Sequence, residues 1–117
     1  MTSTQDNQAC IFCTLLESWR PDEFLYIDDL IFAIRDIAPM APTHVLIIPK
    51  NHNTVIGDSH SESAITRLIM SANQIASNLG IEETGYRLVI NQGPNSGQQV
   101  AHLHMHLIGG RTLGSIG

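Results

Sequence analysis

The hydrophobic residues of the chain recur at two spacings, which separate candidate strands from candidate helices. Short apolar stretches that alternate or run continuously between turn-forming residues are typical of strands. Five such stretches predict strands over 24–27, 30–35, 44–48, 86–91 and 102–108. Asp28-Asp29 is typical of a tight turn between the first two stretches. We therefore expect an antiparallel sheet that begins with a hairpin.

One stretch between the third and fourth predicted strands has helical periodicity. Ser59, followed three residues later by Glu62, has the pattern of a capping box, and Gly80 stands where a C-terminal cap is expected. Apolar residues recur between them at spacings of three and four: Ile65, Leu68, Ile69, Ala72, Ile75, Ala76 and Leu79. Adding a short helix that ends before Pro21, we predict an α+β fold: a five-stranded antiparallel sheet with one long helix and a short N-terminal helix.

Length and composition are those of a small globular protein. The chain has 117 residues, 43% of them hydrophobic, and we expect a flexible tail over 1–9 and a single domain over 10–117. No apolar run approaches the roughly 20 residues of a membrane-spanning helix. The polar N-terminus lacks the basic and apolar regions of a signal peptide. We expect a cytoplasmic protein with no membrane partner.

The charge balance argues against nucleic acid as a partner. Six Lys and Arg residues stand against eleven acidic residues, which gives a formal charge of −5. Proteins that bind nucleic acid usually need a basic face that releases counterions from the phosphates. A small anion held by a few local donors stays compatible with this composition.

The last predicted strand carries a histidine at every second position. His102, His104 and His106 should share one face, and the apolar residues between them should share the other. Such a row is compatible with a solvated edge, with metal chelation, or with nucleophilic and acid–base chemistry. A rise of roughly 3.3 Å per residue sets the outer two about 13 Å apart, so all three converge poorly on one ion. A neutral central imidazole that attacks phosphorus, beside a second imidazole that handles protons, suits histidine best.

The loop before this row contains glycines and amide side chains. Residues 91–99 read Asn-Gln-Gly-Pro-Asn-Ser-Gly-Gln-Gln. Glycines let backbone N–H groups turn toward an anion, and amides add donors without charge. The loop is compatible with an ordinary turn, but its position before the histidines favours a phosphate-binding loop.

Residues 97–111, Gly-Gln-Gln-Val-Ala-His-Leu-His-Met-His-Leu-Ile-Gly-Gly-Arg, resemble the signature of the histidine-triad (HIT) proteins. The Gly-Gly-Arg ending resembles the histidine-triad nucleotide-binding branch. The resemblance continues through 32–39 and 41–50 and covers nearly everything from 10 to 111. It implies a homodimer with a continuous sheet, no organic cofactor, and a hydrolase that removes a substituent from the α-phosphate of a purine nucleotide.

The resemblance also implies a role for each matching residue. His104 matches the nucleophile that forms a nucleotidyl-histidine intermediate, His106 matches the phosphate-binding histidine, and His102 and His44 match a supporting pair. The residues that match phosphate or leaving-group contacts are Asn91, Gln98 and Gln99. The residues that match the nucleoside site are Asp36 at the ribose and Phe12, Leu15, Ile34, Ile37 and Leu46 around the purine, although each of the last five is also compatible with plain core.

Two departures leave finer points open. Gln99 stands where many relatives have Ser or Thr, and the chain ends at Gly114-Ser115-Ile116-Gly117 without the Trp-Pro-Pro-Gly tail of phosphoramidase members. Both differences bear on the leaving-group side of the pocket. A nucleotide-binding regulatory module with little catalysis is therefore the alternative.

The two cysteines form a Cys-x-x-Cys pair. In many bacterial relatives such a pair holds zinc together with two histidines, and the resemblance implies a structural zinc on Cys10, Cys13, His44 and His102. Two reduced cysteines or a redox pair are the alternatives. His52, in a loop, and His60, at the start of the long helix, are expected to be solvated.

Overall fold

The computed structural model describes residues 10–116, so the predicted tail over 1–9 lies outside the described residues. Short 3-10 turns occur at Pro21–Glu23, Ser59–Ser61 and Pro94–Ser96. The helices and strands are α1 Ile11–Ser18, β1 Tyr26–Ile27, β2 Ile31–Arg35, β3 Thr43–Pro49, α2 Glu62–Asn78, β4 Tyr86–Ile90 and β5 Met105–Gly109. Neither helix is long and apolar enough to cross a membrane.

The strands form one five-stranded sheet in the order β1-β2-β3-β5-β4, and every neighbouring pair is antiparallel. The predicted α+β fold is thereby confirmed. β5 lies between β3 and β4 although it is last in sequence. The segment that carries the histidines therefore enters the centre of the sheet, where neighbours on both sides hold it.

Side-chain alternation divides the sheet into two buried faces. Val45 and Ile47 of β3 belong to the apolar cluster that packs on α2, whereas Leu46 and Ile48 belong to the cluster around α1. Leu103, Met105 and Leu107 continue the α2-side cluster. The histidines that alternate with them are thus directed away from the α2 side of the sheet.

The two ends of α2 differ in how well the sequence predicted them. Gly80 has φ +77° and ends the helix in a Schellman arrangement, in which the N–H groups of Ile81 and Gly80 donate to the carbonyls of Ala76 (3.0 Å) and Ser77 (3.1 Å). The predicted capping box is wrong. The helix begins only at Glu62, and Asp58 instead accepts the His60 N–H at 3.0 Å, capping the preceding turn.

The buried face of α2 also differs from the prediction at one position. Ile69 is 51% exposed, while Ser71 is buried beside Leu68 and Ala72. The prediction for Ile69 was wrong because the apolar periodicity was continued one position too far around the helix. The exposed Ile69 and Met70 leave an apolar stretch on the outer surface of α2.

The first and last strands are shorter than predicted. β5 begins at Met105, which pairs with Ile47 and Ile90, so the predicted strand over 102–108 starts three residues too early. Only His106 lies within the regular strand, and His102 and His104 precede it. This irregular approach lets consecutive histidine side chains reach different partners.

Candidate active site

A cavity of about 620 Å³ opens on the α1 side of the sheet. His44, His104 and His106 line this cavity, and His102 does not. All the predicted phosphate and nucleoside contacts line it too: Asn91, Gln98, Gln99, Asp36, Ile37, Phe12, Leu15, Ile34 and Leu46. The fold therefore brings together residues that are separated by up to 94 positions in sequence, from Phe12 to His106.

The ring of His104 is held in one orientation at the wall of the cavity. Its Nδ1 lies 2.9 Å from the backbone carbonyl oxygen of His102. Because a carbonyl oxygen only accepts, Nδ1 carries the proton and Nε2 keeps its lone pair. The Phe12 ring packs edge-on against the His104 ring at 5.2 Å, and His104 is only 8% exposed. His104 thus has the tautomer that a nucleophilic imidazole needs.

Asp36, His44 and His106 form a histidine–aspartate cluster beside His104. The backbone N–H of Met40 donates to His44 Nδ1 at 3.0 Å, so the His44 proton lies on Nε2. His44 Nε2 donates this proton to His106 Nδ1 at 2.8 Å. Asp36 Oδ2 lies 3.4 Å from His44 Nε2. His106 in turn carries its own proton on Nε2. A chain of hydrogen bonds therefore ends in a donor on His106.

The protonation of His106 follows from its surroundings. Burial, together with the neighbouring His104 and His44, lowers the pKa of His106 below its usual value. The neutral form is favoured near neutral pH, and that form fits the hydrogen-bond chain, since its Nδ1 must accept. Asp36 is fixed nearby because its Oδ1 accepts the Ala38 N–H at 2.8 Å.

Cys10, Cys13, His52 and His102 form a cysteine–histidine cluster at the N-terminal end of α1. His102 Nδ1 lies 3.3 Å from Cys10 Sγ, 3.6 Å from Cys13 Sγ and 3.2 Å from His52 Nδ1. Cys13 Sγ lies 3.4 Å from His52 Nδ1. Ligand atoms around a tetrahedral zinc ion are about 3.3–3.7 Å apart, given the usual Zn–S and Zn–N lengths. The donor types and the spacing both fit zinc.

The tautomer of His102 suits a metal ligand. Its Nε2 donates to the Pro49 carbonyl oxygen at 2.7 Å, which leaves the lone pair of Nδ1 directed at the sulfur atoms. Burial lowers the pKa of His102, so the ring is neutral near neutral pH. The pKa of Cys13 is raised to about 11 by burial, by the hydrogen bond with Cys10 and by the charges of Cys10 and Glu17. The Cys13 thiol therefore keeps its proton unless a cation replaces it.

His44 does not join this cluster, which corrects the predicted ligand set. His44 pairs with Ile108 across the β3–β5 ladder, and its ring contacts His106. His52 takes the predicted place, because the chain after β3 returns to Cys13 and His102. The expectation that His52 is solvated was also wrong, whereas His60 is exposed as predicted. Sequence spacing held no signal for this exchange, because both histidines are distant from the cysteines.

Phe12 connects the two sides of the site. It lies between the two cysteines in sequence and packs edge-on against the rings of His102 (5.7 Å) and His104 (5.2 Å). Its ring also lines the cavity. The geometry of the cysteine–histidine cluster is therefore transmitted to the cavity wall through one side chain and through the His102 carbonyl.

The amide side chains of the 91–101 loop hold its backbone together. Asn91 Nδ2 donates to the Ser96 carbonyl at 2.7 Å, and Gln98 Oε1 accepts the Gly93 N–H at 2.8 Å. Gln98 Nε2 donates to the Val100 carbonyl at 2.9 Å. Asn91 and Gln98 line the cavity as expected, but these bonds give them a bracing role that the sequence did not predict.

Sequence reasoning missed several residues of the cavity wall. These are Ile11, Arg35, Ala38, Met40, Gly97 and Val100. Met40 matters most, since its backbone N–H sets the tautomer of His44. A backbone group leaves no mark in the residue pattern, so no sequence signal was available for this contact.

The chain is similar to known proteins over nearly its whole length. The HIT domain family model matches residues 17–113. Purine nucleoside phosphoramidase of Escherichia coli strain K12 is 46% identical over 109 residues, covering 92% of each chain. Among curated relatives, an uncharacterized HIT-like protein of Synechococcus elongatus is 43% identical over 109 residues, covering 92% of this chain and 95% of the relative.

Solved structures show the same fold. A HIT family hydrolase from Legionella pneumophila has a TM-score of 0.79 at 40% identity, covering 88% of this chain and 94% of that chain. A HIT family hydrolase from Clostridium thermocellum has a TM-score of 0.83 at 41% identity, covering 92% and 95%. A Zn-bound histidine triad family protein from Mycobacterium smegmatis has a TM-score of 0.71 at 27% identity, covering 90% and 77%.

Proposed function

We propose a specific reaction for this chain, which belongs to the HIT domain family and is a hydrolase. It removes a substituent, either an amine or a phosphate-linked group, from the α-phosphate of a purine nucleotide, through a nucleotidyl-histidine intermediate. The observation that carries this proposal is the His104 tautomer, which leaves an Nε2 lone pair beside a nucleotide-sized cavity. The purine nucleoside phosphoramidase named above, similar over nearly the whole chain, supports the substrate class.

In the first step His104 Nε2 attacks the α-phosphorus. The N–P bond forms as the bond from phosphorus to the substituent breaks, and the leaving amine carries the electron pair away and takes up a proton from solvent. His106 donates its Nε2 hydrogen to a phosphoryl oxygen, where negative charge develops. His44 and Met40 keep that hydrogen on Nε2 by holding His106 Nδ1 as an acceptor.

In the second step water resolves the intermediate. A water oxygen attacks phosphorus, the N–P bond breaks, and its electron pair returns to His104 Nε2. The products are the nucleoside monophosphate and the free amine, and the protons of the water pass to solvent and to the product groups. The His102 carbonyl serves both steps, since it stabilises the imidazolium form that His104 adopts while phosphorylated.

The nucleoside half of the substrate occupies the remainder of the cavity. Asp36 Oδ2 accepts hydrogen bonds from the ribose hydroxyls, while Oδ1 stays on the Ala38 amide. The purine packs against the apolar side chains Phe12, Leu15, Ile34, Ile37 and Leu46. Asn91, Gln98 and Gln99 line the phosphate end. Ile37 is fully exposed in the isolated chain, so a bound base would cover it.

The cysteine–histidine cluster holds a structural zinc ion. Two thiolates and two imidazoles close the coordination shell, so the metal would fix α1 and His102 and leave no position for an activated water. The donor distances and the His102 tautomer support this assignment. The Zn-bound relative from Mycobacterium smegmatis is in line with a zinc ion in this family.

Two such chains form a homodimer with one continuous sheet, and they act in the cytoplasm. The five-residue β4 forms one edge of the sheet, while the other edge is the two-residue β1. A long unpaired edge is the one suited to pair with a second copy. Light scattering at several concentrations tests this, with a monomeric mass as the contrary outcome.

The reaction is tested by incubation with adenosine and guanosine 5′-phosphoramidates, dinucleoside polyphosphates and adenylylated lysine. We expect release of the nucleoside monophosphate, and intact mass after rapid quenching should show one nucleotidyl group per chain. The same experiment on His104→Ala should show no adduct. Nucleotide binding without either product or adduct would support a regulatory module instead.

A further inference from the structure

The chain after β5 passes unusually close to the segment before β3. Gly110 has φ +92°, and a Cβ there would lie 3.0 Å from Pro42 Cβ and 3.3 Å from the Thr43 nitrogen. Only glycine at position 110 allows this approach. Its consequence is that the next residue, Arg111, lies beside the loop at 36–42.

Arg111 binds the backbone of that loop. Its Nη2 donates to the Met40 carbonyl oxygen at 2.9 Å, and its Nη1 donates to the Thr112 carbonyl oxygen at 3.0 Å. The guanidinium group thus bridges the C-terminal segment and the loop. Arg111 is exposed and does not line the cavity.

The backbone of Met40 is used in both directions. Its carbonyl accepts from Arg111, and its N–H donates to His44 Nδ1 at 3.0 Å. His44 in turn donates to His106 at 2.8 Å. A continuous series of contacts therefore connects an exposed arginine with the histidine that faces the phosphate.

We propose that Arg111 is a positioning residue that fixes the orientation and tautomer of His44 by holding the backbone of Met40. This inference rests on the proposed function for its effect on turnover, but its structural content does not. Arg111 acts through His44 and has no contact with substrate. Without the Arg111 contact the loop at 36–42 can move away from His44. The His44 ring then loses the Met40 N–H that orients it.

The main test compares Arg111→Met with the wild-type protein. We expect kcat for a nucleoside phosphoramidate to fall about fivefold while KM changes less than about twofold, because a positioning contact is lost and a substrate contact is not. Amide hydrogen exchange at Met40, measured by NMR without substrate, should become about tenfold faster. The His44 ring nitrogen signals should shift with it.

Two further variants serve as controls. Arg111→Lys should recover part of the loss in kcat, since an ammonium group can still donate to the Met40 carbonyl but lacks the rigid fork. Arg87→Gln removes a matched contact, an exposed arginine that donates to the Gly114 carbonyl at 2.8 Å. It should leave Met40 exchange and kcat unchanged.

The outcomes separate this inference from the proposed reaction. A rise in KM at constant kcat would assign Arg111 to substrate binding and overturn the inference. Unchanged Met40 exchange in Arg111→Met would overturn it as well, whatever happens to kcat. Failure of the wild-type protein to hydrolyse any phosphoramidate would contradict the proposed function, while the exchange measurement would still decide the role of Arg111.

Discussion

The cysteine–histidine cluster and the histidine–aspartate cluster each contain a histidine whose proton lies on Nε2, but the two rings are turned in opposite directions. In the first, a backbone carbonyl at Pro49 accepts from His102 Nε2, so the ring offers a lone pair to its neighbours. In the second, a backbone amide at Met40 donates to His44 Nδ1, so the ring offers a proton. The group behind the ring decides what the ring presents.

This difference explains why a similar spacing of potential ligand atoms favours metal binding in one cluster and not in the other. Asp36, His44 and His106 also place three potential ligand atoms within 4.8 Å of one another. Metal binding through His44 Nε2 would move its proton to Nδ1, where it would face the Met40 N–H, and two donors would then oppose each other. The histidine–aspartate cluster is therefore suited to pass hydrogen bonds, and the cysteine–histidine cluster to hold a cation.

The largest effect is expected at the residue between the clusters. Replacing His104 by Ala removes the proposed nucleophile, and kcat should fall by about 10⁴-fold or more. Nucleotide binding, measured by equilibrium titration with AMP, should persist because the other residues that line the cavity are unchanged. Turnover near the wild-type rate would show that another group attacks phosphorus.

The next largest effect concerns the histidine–aspartate cluster. His44→Ala should lower kcat by about 10²-fold, because His106 loses the donor that fixes its tautomer. The zinc content of the purified protein should remain at one equivalent, since His44 is not part of the cysteine–histidine cluster. Loss of zinc in this variant would restore the ligand set first predicted from the sequence.

The reciprocal variant tests the cysteine–histidine cluster. His52→Ala should reduce bound zinc well below one equivalent by metal analysis, and kcat should fall by only about 10-fold, through disturbance of His102 and Phe12. His60→Ala is the matched control, because His60 is an exposed histidine outside both clusters. Full zinc content in His52→Ala would refute the assignment of His52 as a zinc ligand.

The smallest effect on catalysis is expected at Asp28, which belongs to neither cluster. Asp28 accepts from Tyr26 (2.7 Å), Arg67 (2.7 Å) and the backbone N–H groups of Leu30 (2.8 Å) and Ile31 (3.0 Å). Burial alone would raise its pKa, but these hydrogen bonds lower the pKa of Asp28 from 3.8 to about 2. Asp28→Asn should reduce the free energy of unfolding by about 2 kcal/mol at neutral pH and leave kcat within about twofold.

The pH dependence of that difference has a definite sign. A carboxyl group whose folded pKa is depressed contributes stability above its unfolded pKa of 3.8, and the contribution is lost as the pH falls through about 2. Urea titrations of both proteins should therefore converge between pH 4 and pH 2. A constant difference across that range would show that the Asp28 charge is not the cause.

The sequence predicted most of the fold because its signals were local. The five strands and α2 follow from alternation and from spacings of three and four. The end of α2 at Gly80 was predictable because a helix C-terminal cap favours a positive φ, which glycine adopts easily. The errors were also local in origin. The capping box failed because α2 begins later, and β5 was drawn too long because the alternation of histidines and apolar residues in the sequence starts at His102, before the ladder begins at Met105.

For the candidate site, the sequence identified side chains but not their partners. Asp36, His104 and His106 were named from the motifs, and the structure places them at one cavity. The exchange of His44 for His52 was not predictable, since each lies more than 30 residues from the cysteines. The bracing contacts of Asn91 and Gln98 were not predictable either, because their partners are backbone carbonyl and N–H groups.

The sequence by itself determined the order of the elements, the face on which the histidines lie and the chemical types available there. These depend on residue identity and on the period of two along a strand, both of which are written in the chain. Only the tertiary structure decided which histidine contacts the cysteines and which ring nitrogen of each histidine carries the proton. The first depends on where the chain returns after β3. The second depends on the backbone groups at Pro49 and Met40. Backbone carbonyl and N–H groups occur in every chain, and they acquire a direction only when the chain folds.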